Sequence, residues 1–227
     1  MEVDIIHGHG NAAAHVTLKR HETLVAEGGS MIAMSSNVSV RTTTHHRSKG
    51  GIMSGFKRML SGESFFLNHF TAPSESAVIT LSPTLSGDIK TLELDNTRMV
   101  VQSGSYLACE QSVEMDIGWQ GFKSLFAKEG LFWITLSGSG KALVNSFGAI
   151  YPIEVDGEYI VDTGHIVAFD ESLKFSLSKA GRSWVSSILG GEGLVCHFRG
   201  TGAVWCQSHN ASSFGRSLGR QLKPIKR

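Results

Sequence analysis

The chain has 227 residues, 41% of them hydrophobic and 18% charged, with a formal net charge of +1. These values exclude a disordered chain, and they exclude a global field that would draw nucleic acid or an anionic membrane. No apolar run approaches the roughly 20 residues of a membrane helix, and 26 glycines beside four prolines suit a turn-rich β protein.

In chain order, the first extended segment covers residues 16–18. A strand carrying Val25 leads to Gly29 and continues apolar through Ile32 and Ala33. An alternating strand begins nine residues after that glycine, with Val38, Ser39 and Val40. Period-two alternation means one buried and one wet face. Ile52, Phe56 and Met59 then change the rhythm to spacings of four and three, which predicts a short amphipathic helix or turn. Gly62 stops it. Residues 65–71 and 77–81 flank Ala72-Pro73-Ser74-Glu75-Ser76 and predict a closing hairpin.

The same order is then written twice more. Extended segments cover residues 89–94 and 150–155 and end in Asp95-Asn96 and Asp156-Gly157. Such pairs tolerate the positive φ of tight hairpins. Val100 and Ile160 precede Gly104 and Gly164, as Val25 precedes Gly29, and Ala108 and Ala168 match Ala33. For these glycines the expectation is a bulge or close backbone packing inside a strand. Alternating strands follow at the same nine-residue offset, from Val113 and from Leu173. Trp119, Phe122 and Phe126 predict a second amphipathic segment, and Trp184 with Ile188 a third; Gly130 and the pair Gly190-Gly191 stop them. Gly138-Ser139-Gly140 and Gly200-Thr201-Gly202 read as the turns of two closing hairpins. The two copies enter these through one tripeptide, Glu129-Gly130-Leu131 and Glu192-Gly193-Leu194, while Gly55-Phe56-Lys57 matches Gly121-Phe122-Lys123.

Strands and turns recur in any all-β chain, but recurrence alone does not supply equal offsets and shared tripeptides. The expectation is three tandem β units at 14–81, 87–147 and 148–209, with Gly29, Gly104, Gly164, Gly62, Gly130 and Gly193 as structural glycines. Small units bury too little surface alone, so they pack on one another. About five strands per unit gives roughly fifteen, with helix content well under a third.

Residues 210–227 hold Arg216, Arg220, Lys223, Lys226 and Arg227 without an acid and read as a basic flexible tail. Inside it, Gly215-Arg216-Ser217-Leu218-Gly219 matches the nucleophile-elbow spacing, but no Asp, Glu or His follows to complete a triad. Gly138-Ser139-Gly140-Lys141 fails as a phosphate loop, because Ala142 stands where a magnesium-binding hydroxyl is needed. Of ten histidines, His7 and His9 lack a nearby carboxylate and His45-His46 face opposite sides of a strand. His69, His165, His197 and His209 meet only if the fold brings them together. Cys109, Cys196 and Cys206 are odd in number and show no Cys-x-x-Cys spacing, so neither a disulfide framework nor a zinc site is expected. The four tryptophans Trp119, Trp133, Trp184 and Trp205 recur in the second and third copies, which favours core packing over base stacking. Met1-Glu2-Val3-Asp4 lacks a basic n-region, so a soluble cytoplasmic protein without a secretory signal is expected.

The block from Gly55 to Phe66, Gly-Phe-Lys-Arg-Met-Leu-Ser-Gly-Glu-Ser-Phe-Phe, resembles the signature of the altered-inheritance-of-mitochondria family, type twenty-four. So does the closing block from Gly191-Glu192-Gly193-Leu194 to Gly200-Thr201-Gly202-Ala203-Val204. The resemblance covers residues 14–209 and implies a prokaryotic member, since no transit peptide is visible. It implies a fold similar to the tryptophan RNA-binding attenuation protein: an all-β chain of three tandem pseudo-equivalent β-sandwich units, a double-stranded β-helix variant, with short amphipathic helices or turns. Such domains associate edge to edge in rings, and the family supplies no catalytic residues.

The expected function is a non-enzymatic oligomeric scaffold or binding protein without cofactors, assembled as a homotrimer with pseudo-ninefold domains. Lys57, Arg58 and Lys123, in or beside the shared tripeptide, are the candidate residues for an unknown protein or membrane-complex partner. Small-molecule or RNA binding at inter-unit clefts is the second reading, with net charge weighing against RNA. A metal enzyme built from the scattered histidines is the third.

Overall fold

Alternation sets the first strands. The structure, a computed structural model, describes residues 1–45, 65–116, 133–179 and 194–222. Strand β2 (Ala13–Leu18) buries Ala14, Val16 and Leu18 and turns His15 and Thr17 outward. Strand β7 (Ala77–Leu81) buries Ala77, Ile79 and Leu81 against them. With β1 (Glu2–Ile6) and β4 (Met31–Met34) they form a sheet in the order β1-β2-β7-β4.

The second sheet has eleven strands. Its members are β3 (Thr23–Glu27), β5 (Ser39–His45), β6 (Phe65–Thr71), β8 (Ile89–Gln102), β9 (Tyr106–Glu110), β10 (Val113–Asp116), β11 (Trp133–Asn145), β12 (Ile150–Asp162), β13 (Ile166–Asp170), β14 (Lys174–Lys179) and β15 (Leu194–Gln207). The order is β12-β15-β13-β8-β11-β9-β3-β6-β5, with β10 added on β11 and β14 on β15. The chain is therefore all-β, with one helix among the described residues, α1 (Ala211–Gln221), besides two short 3-10 turns.

One pairing scheme occurs three times. The pairs β2–β7 and β3–β6 in the first third correspond to β8–β11 in the second and β12–β15 in the last. In each third a short strand joins the second half of that ladder: β4 on β7, β9 on β11, β13 on β15. Another joins the first half: β5 on β6, β10 on β11, β14 on β15. One side chain six residues after each glycine accepts an equivalent backbone N–H. Ser35 takes that of Val78 at 2.9 Å, Glu110 that of Lys141 at 2.8 Å and Asp170 that of Ala203 at 2.7 Å.

Three expectations are corrected. Gly138-Ser139-Gly140 and Gly200-Thr201-Gly202 are not hairpin turns, and neither are Asp95-Asn96 and Asp156-Gly157. They lie inside long strands that continue through them. The positive φ of Asn96 (51°), the extra residue between the Thr97–Gly138 and Asp95–Ser139 pairs, and of Gly157 (99°) opposite Gly200 (121°), bends paired strands without ending them. Only in the first third, at His21 (φ 68°) and at residues 72–76, does the chain break into separate strands. Second, Gly104 and Gly164 lie in 3-10 turns, Ser103–Ser105 and Thr163–His165, rather than within a strand. A Cβ on Gly104 meets nothing within 4 Å, whereas one on Gly164 runs into the Asn210 amide. Third, the tail expected to be flexible is helical over α1. Asn210 caps it by accepting from the Ser213 N–H at 3.0 Å, and Phe214 packs edge-on against Phe147 at 5.4 Å. Ser217 thus sits inside a helix, not at a strand-to-helix elbow. The three amphipathic segments fall at 46–64, 117–132 and 180–193, outside the described residues, together with Gly62, Gly130 and Gly193.

Three core clusters follow the chain. The first gathers around Val16, Leu24, Phe70 and Leu107, the second around Val101, Tyr106, Ile134 and Val144, the third around Trp133, Phe169, Phe198 and Val204. Strands β9 and β13 are buried from Tyr106 through Cys109 and from Ile166 through Phe169. Their side chains divide between two clusters, Tyr106 and Cys109 in the second with Leu107 and Ala108 in the first, and Val167 and Ala168 in the second with Ile166 and Phe169 in the third. Both faces are thus covered, and continuous apolar runs replace alternation.

Candidate functional site

Two seams join successive thirds of the chain. At the first, β3 pairs with β9, with Val25 opposite Cys109 and Ala26 opposite Ala108. At the second, β8 pairs with β13, with Val100 opposite Phe169 and Val101 opposite Ala168. The central pair of each seam is apolar and closed: Val25 is 8% exposed, Val100 0%, Cys109 1% and Phe169 0%. The seams bury these edges inside one continuous sheet.

The ends of the molecule present the same strands uncovered. Strand β4, the counterpart of β9 and β13, ends its sheet, and Met31, Ile32 and Met34 stand 40%, 59% and 40% exposed. Strand β12, the counterpart of β8, ends the other sheet, with Tyr159 and Ile160 48% and 53% exposed. These five large apolar side chains occupy positions that are buried at both internal seams. An apolar strand edge left bare is a template for another strand. Neither edge was singled out from the sequence. The signal was present in the repeat, since Met31 to Met34 align by offset with Tyr106 to Cys109, yet offset alone does not say which copy is terminal.

A polar row crosses the last third. Ser178 Oγ lies 2.8 Å from His197 Nε2, His197 Nδ1 lies 3.3 Å from Glu158, and Arg199 donates to the same Glu158 oxygen at 3.0 Å. The Arg199 and His197 hydrogen bonds hold the Glu158 carboxyl below the usual carboxylate range. Hydroxyl, imidazole and acid in this order are the groups of a nucleophile triad. The hydroxyl–imidazole pair recurs, however, as Thr43 Oγ1 and His69 Nε2, also 2.8 Å apart. Register explains both: Arg41 faces His69 and Ser176 faces His197, so in each case the hydroxyl sits two residues further along the neighbouring strand. The repeat itself therefore accounts for the contact. Burial, helped by the Arg41 charge, lowers the His69 pKa.

Among the described residues no three His, Cys, Asp or Glu side chains gather as a metal site. His7 and His9 occupy exposed positive-φ turns, and His165 Nδ1 meets the Gln207 carbonyl at 2.8 Å. His209 contacts Ser208 and the Phe147 ring. The thiols of Cys109, Cys196 and Cys206 are buried and free, and burial pushes them up to about 11, 12 and 12. Lys57, Arg58 and Lys123 lie outside the described residues. No described helix is long and apolar enough to cross a membrane.

Comparison with known proteins places this geometry in a lineage. The sequence model of a family described as mitochondrial biogenesis AIM24 matches residues 3–209. An uncharacterized protein of Streptococcus pyogenes serotype M6 is 32% identical over 213 residues, covering 91% of this chain and 85% of its own. The crystal structure of a Streptococcus pyogenes protein from a structural genomics programme superposes with a TM-score of 0.80 at 29% identity, covering 97% of this chain and 99% of the other.

Proposed function

This chain belongs to the mitochondrial biogenesis AIM24 family, and on that premise we propose that it is a non-enzymatic oligomeric scaffold: three tandem β-sandwich units per chain and three chains per ring, nine units around the axis. The observation that carries this reading is the pair of uncovered apolar edges, Met31 to Met34 and Tyr159 to Ile160, whose counterparts are buried at both seams. A head-to-tail contact between identical chains covers one edge of each kind, and a closed ring leaves none. The three-fold recurrence of the pairing scheme supports unit-by-unit equivalence.

A ring of repeated units presents the same groups at regular spacing, which suits a multivalent protein or membrane-complex partner. Lys57, Arg58 and Lys123 of each chain are the residues proposed to meet it. Light scattering on a sizing column tests the assembly. Three chains of 24.5 kDa elute at about 74 kDa, and a stable single-chain mass at micromolar concentration overturns the proposal.

A further inference from the structure

We propose that the second half of β12 adds to β4 of a second copy in a fixed antiparallel register: Tyr159 opposite Ser35, Ile160 opposite Met34 and Val161 opposite Ala33. This rests on the ring reading above and supplies its contact.

The register comes from the two seams inside the chain. At the first, the residue four before Gly29 (Val25) faces the residue five after Gly104 (Cys109). At the second, the residue four before Gly104 (Val100) faces the residue five after Gly164 (Phe169). Applied once more, the residue four before Gly164 is Ile160 and the residue five after Gly29 is Met34. Each seam is fastened at its end by one backbone bond. Gln111 N–H donates to the Thr23 carbonyl at 3.3 Å, and Glu171 N–H to the Arg98 carbonyl at 3.2 Å. The same position in the intermolecular seam gives Ser36 N–H to the Glu158 carbonyl.

The occupant is a second copy because one chain carries both halves of the junction. The side chains match the internal seams in kind. Met34 takes the place of Cys109 and Phe169, and Ile160 that of Val25 and Val100, so apolar meets apolar at this pair and at Val161 with Ala33, while Ser35 stands opposite Tyr159 where Glu110 and Asp170 face Leu24 and Met99. A slip of one residue would turn every side chain of the added strand to the wrong face. Beyond the apolar pairs, Glu158 and Ser36 stand where Arg98 and Glu171 form a 3.1 Å ion pair at the second seam. The intermolecular contact therefore lacks that ion pair and is less sensitive to salt than one built on it.

Cysteine cross-linking tests the register on the full chain. The double variant Met34→Cys with Ile160→Cys, oxidised and run without reductant, is expected to give a covalent ladder ending at the trimer. Each single variant alone is expected to stay uncross-linked, because head-to-tail contact never brings like positions together. Mixing the two single variants is expected to restore one cross-link. A second pair, Tyr159→Cys with Ser35→Cys, reports the same register should the first disturb folding, which the circular dichroism melt reveals. The control pair Ile32→Cys with Ile160→Cys is two residues out and is expected to remain separate. If only the control pair links, or neither pair links while light scattering still shows the assembly, the register is overturned and the ring stands. If the parent chain is monomeric, the ring falls and the register with it. Cross-linking by a single variant alone means a two-fold contact and overturns the register.

Discussion

The Tyr106 hydroxyl donates to the Val25 carbonyl at 2.8 Å, tying positions 81 apart in sequence across the β3–β9 seam. It also lies 3.3 Å from Cys109 Sγ, and burial holds the phenol well above its ordinary pKa, so it stays a neutral donor. The corresponding position at the second seam is Ile166, which has no hydroxyl. Tyr106→Phe keeps the ring and removes the bond. The expected cost is about 1–2 kcal/mol, the usual range when a buried acceptor loses its donor. It is read as a lower urea midpoint with an unchanged slope at fixed protein concentration. An unmoved midpoint would mean that the seam holds by packing alone.

Burial dictates the chemistry of the three thiols. Cys196 and Cys206 are pushed up to about 12 and Cys109 to about 11, so little thiolate exists at neutral pH. Thiolate is the species that attacks a disulfide reagent. At pH 8 the native chain is expected to label at least about 100-fold more slowly than the urea-unfolded chain. Reductant is expected to leave the assembly mass unchanged. Rapid native labelling of one thiol would show that its strand opens.

The strands were legible from the sequence wherever one face is wet. Alternation marks β5, β10 and β14, and the offsets from Gly29, Gly104 and Gly164 locate the three equivalent short strands. What the sequence hid is continuity. Asp156-Gly157 has the composition of a hairpin turn, but the same positive φ bends a strand when the opposing residue, Gly200, is equally permissive. Whether such a residue ends a strand or bends it depends on the partner strand, which local composition does not encode. The interaction site was hidden for a related reason. Met34 and Cys109 occupy equivalent positions, and only the fold shows that one is 40% exposed and the other 1%. Helix α1 was missed because its polar, glycine-containing sequence favours disorder, while the Asn210 cap and the Phe214–Phe147 contact stabilise it.

Glycines carry different constraints according to what their missing Cβ would meet. A Cβ on Gly87 would strike the Ser146 backbone carbonyl, which is held in place because the Ser146 N–H donates to the Asp88 carbonyl at 3.0 Å. Gly104, by contrast, has open space and an ordinary φ. Gly87→Ala is expected to destabilise by about 1–3 kcal/mol, the cost of forcing backbone apart. Gly104→Ala is expected to be neutral or stabilising by about 0.4–1 kcal/mol through the unfolded chain. Calorimetry of the two variants side by side checks the contrast. Equal losses would mean that Gly104 meets something its own position does not show.

Glu27, at the end of β3, gives the seam region a pH dependence. Burial raises its carboxyl from 4.5 to about 7. Between those values the folded chain keeps a proton that the unfolded chain has released. The contribution of this group to stability is therefore fully present below pH 4.5, declines as pH rises towards 7 and is flat above it. Glu27→Gln fixes the neutral form. At pH 8 the variant is expected to be more stable than the parent by about 2 kcal/mol, a figure discounted for the solvent that reaches a half-buried carboxyl. At pH 4.5 the two are expected to melt together. Urea midpoints at the two pH values make the comparison, and parallel curves for parent and variant across that window would place the Glu27 carboxyl in water.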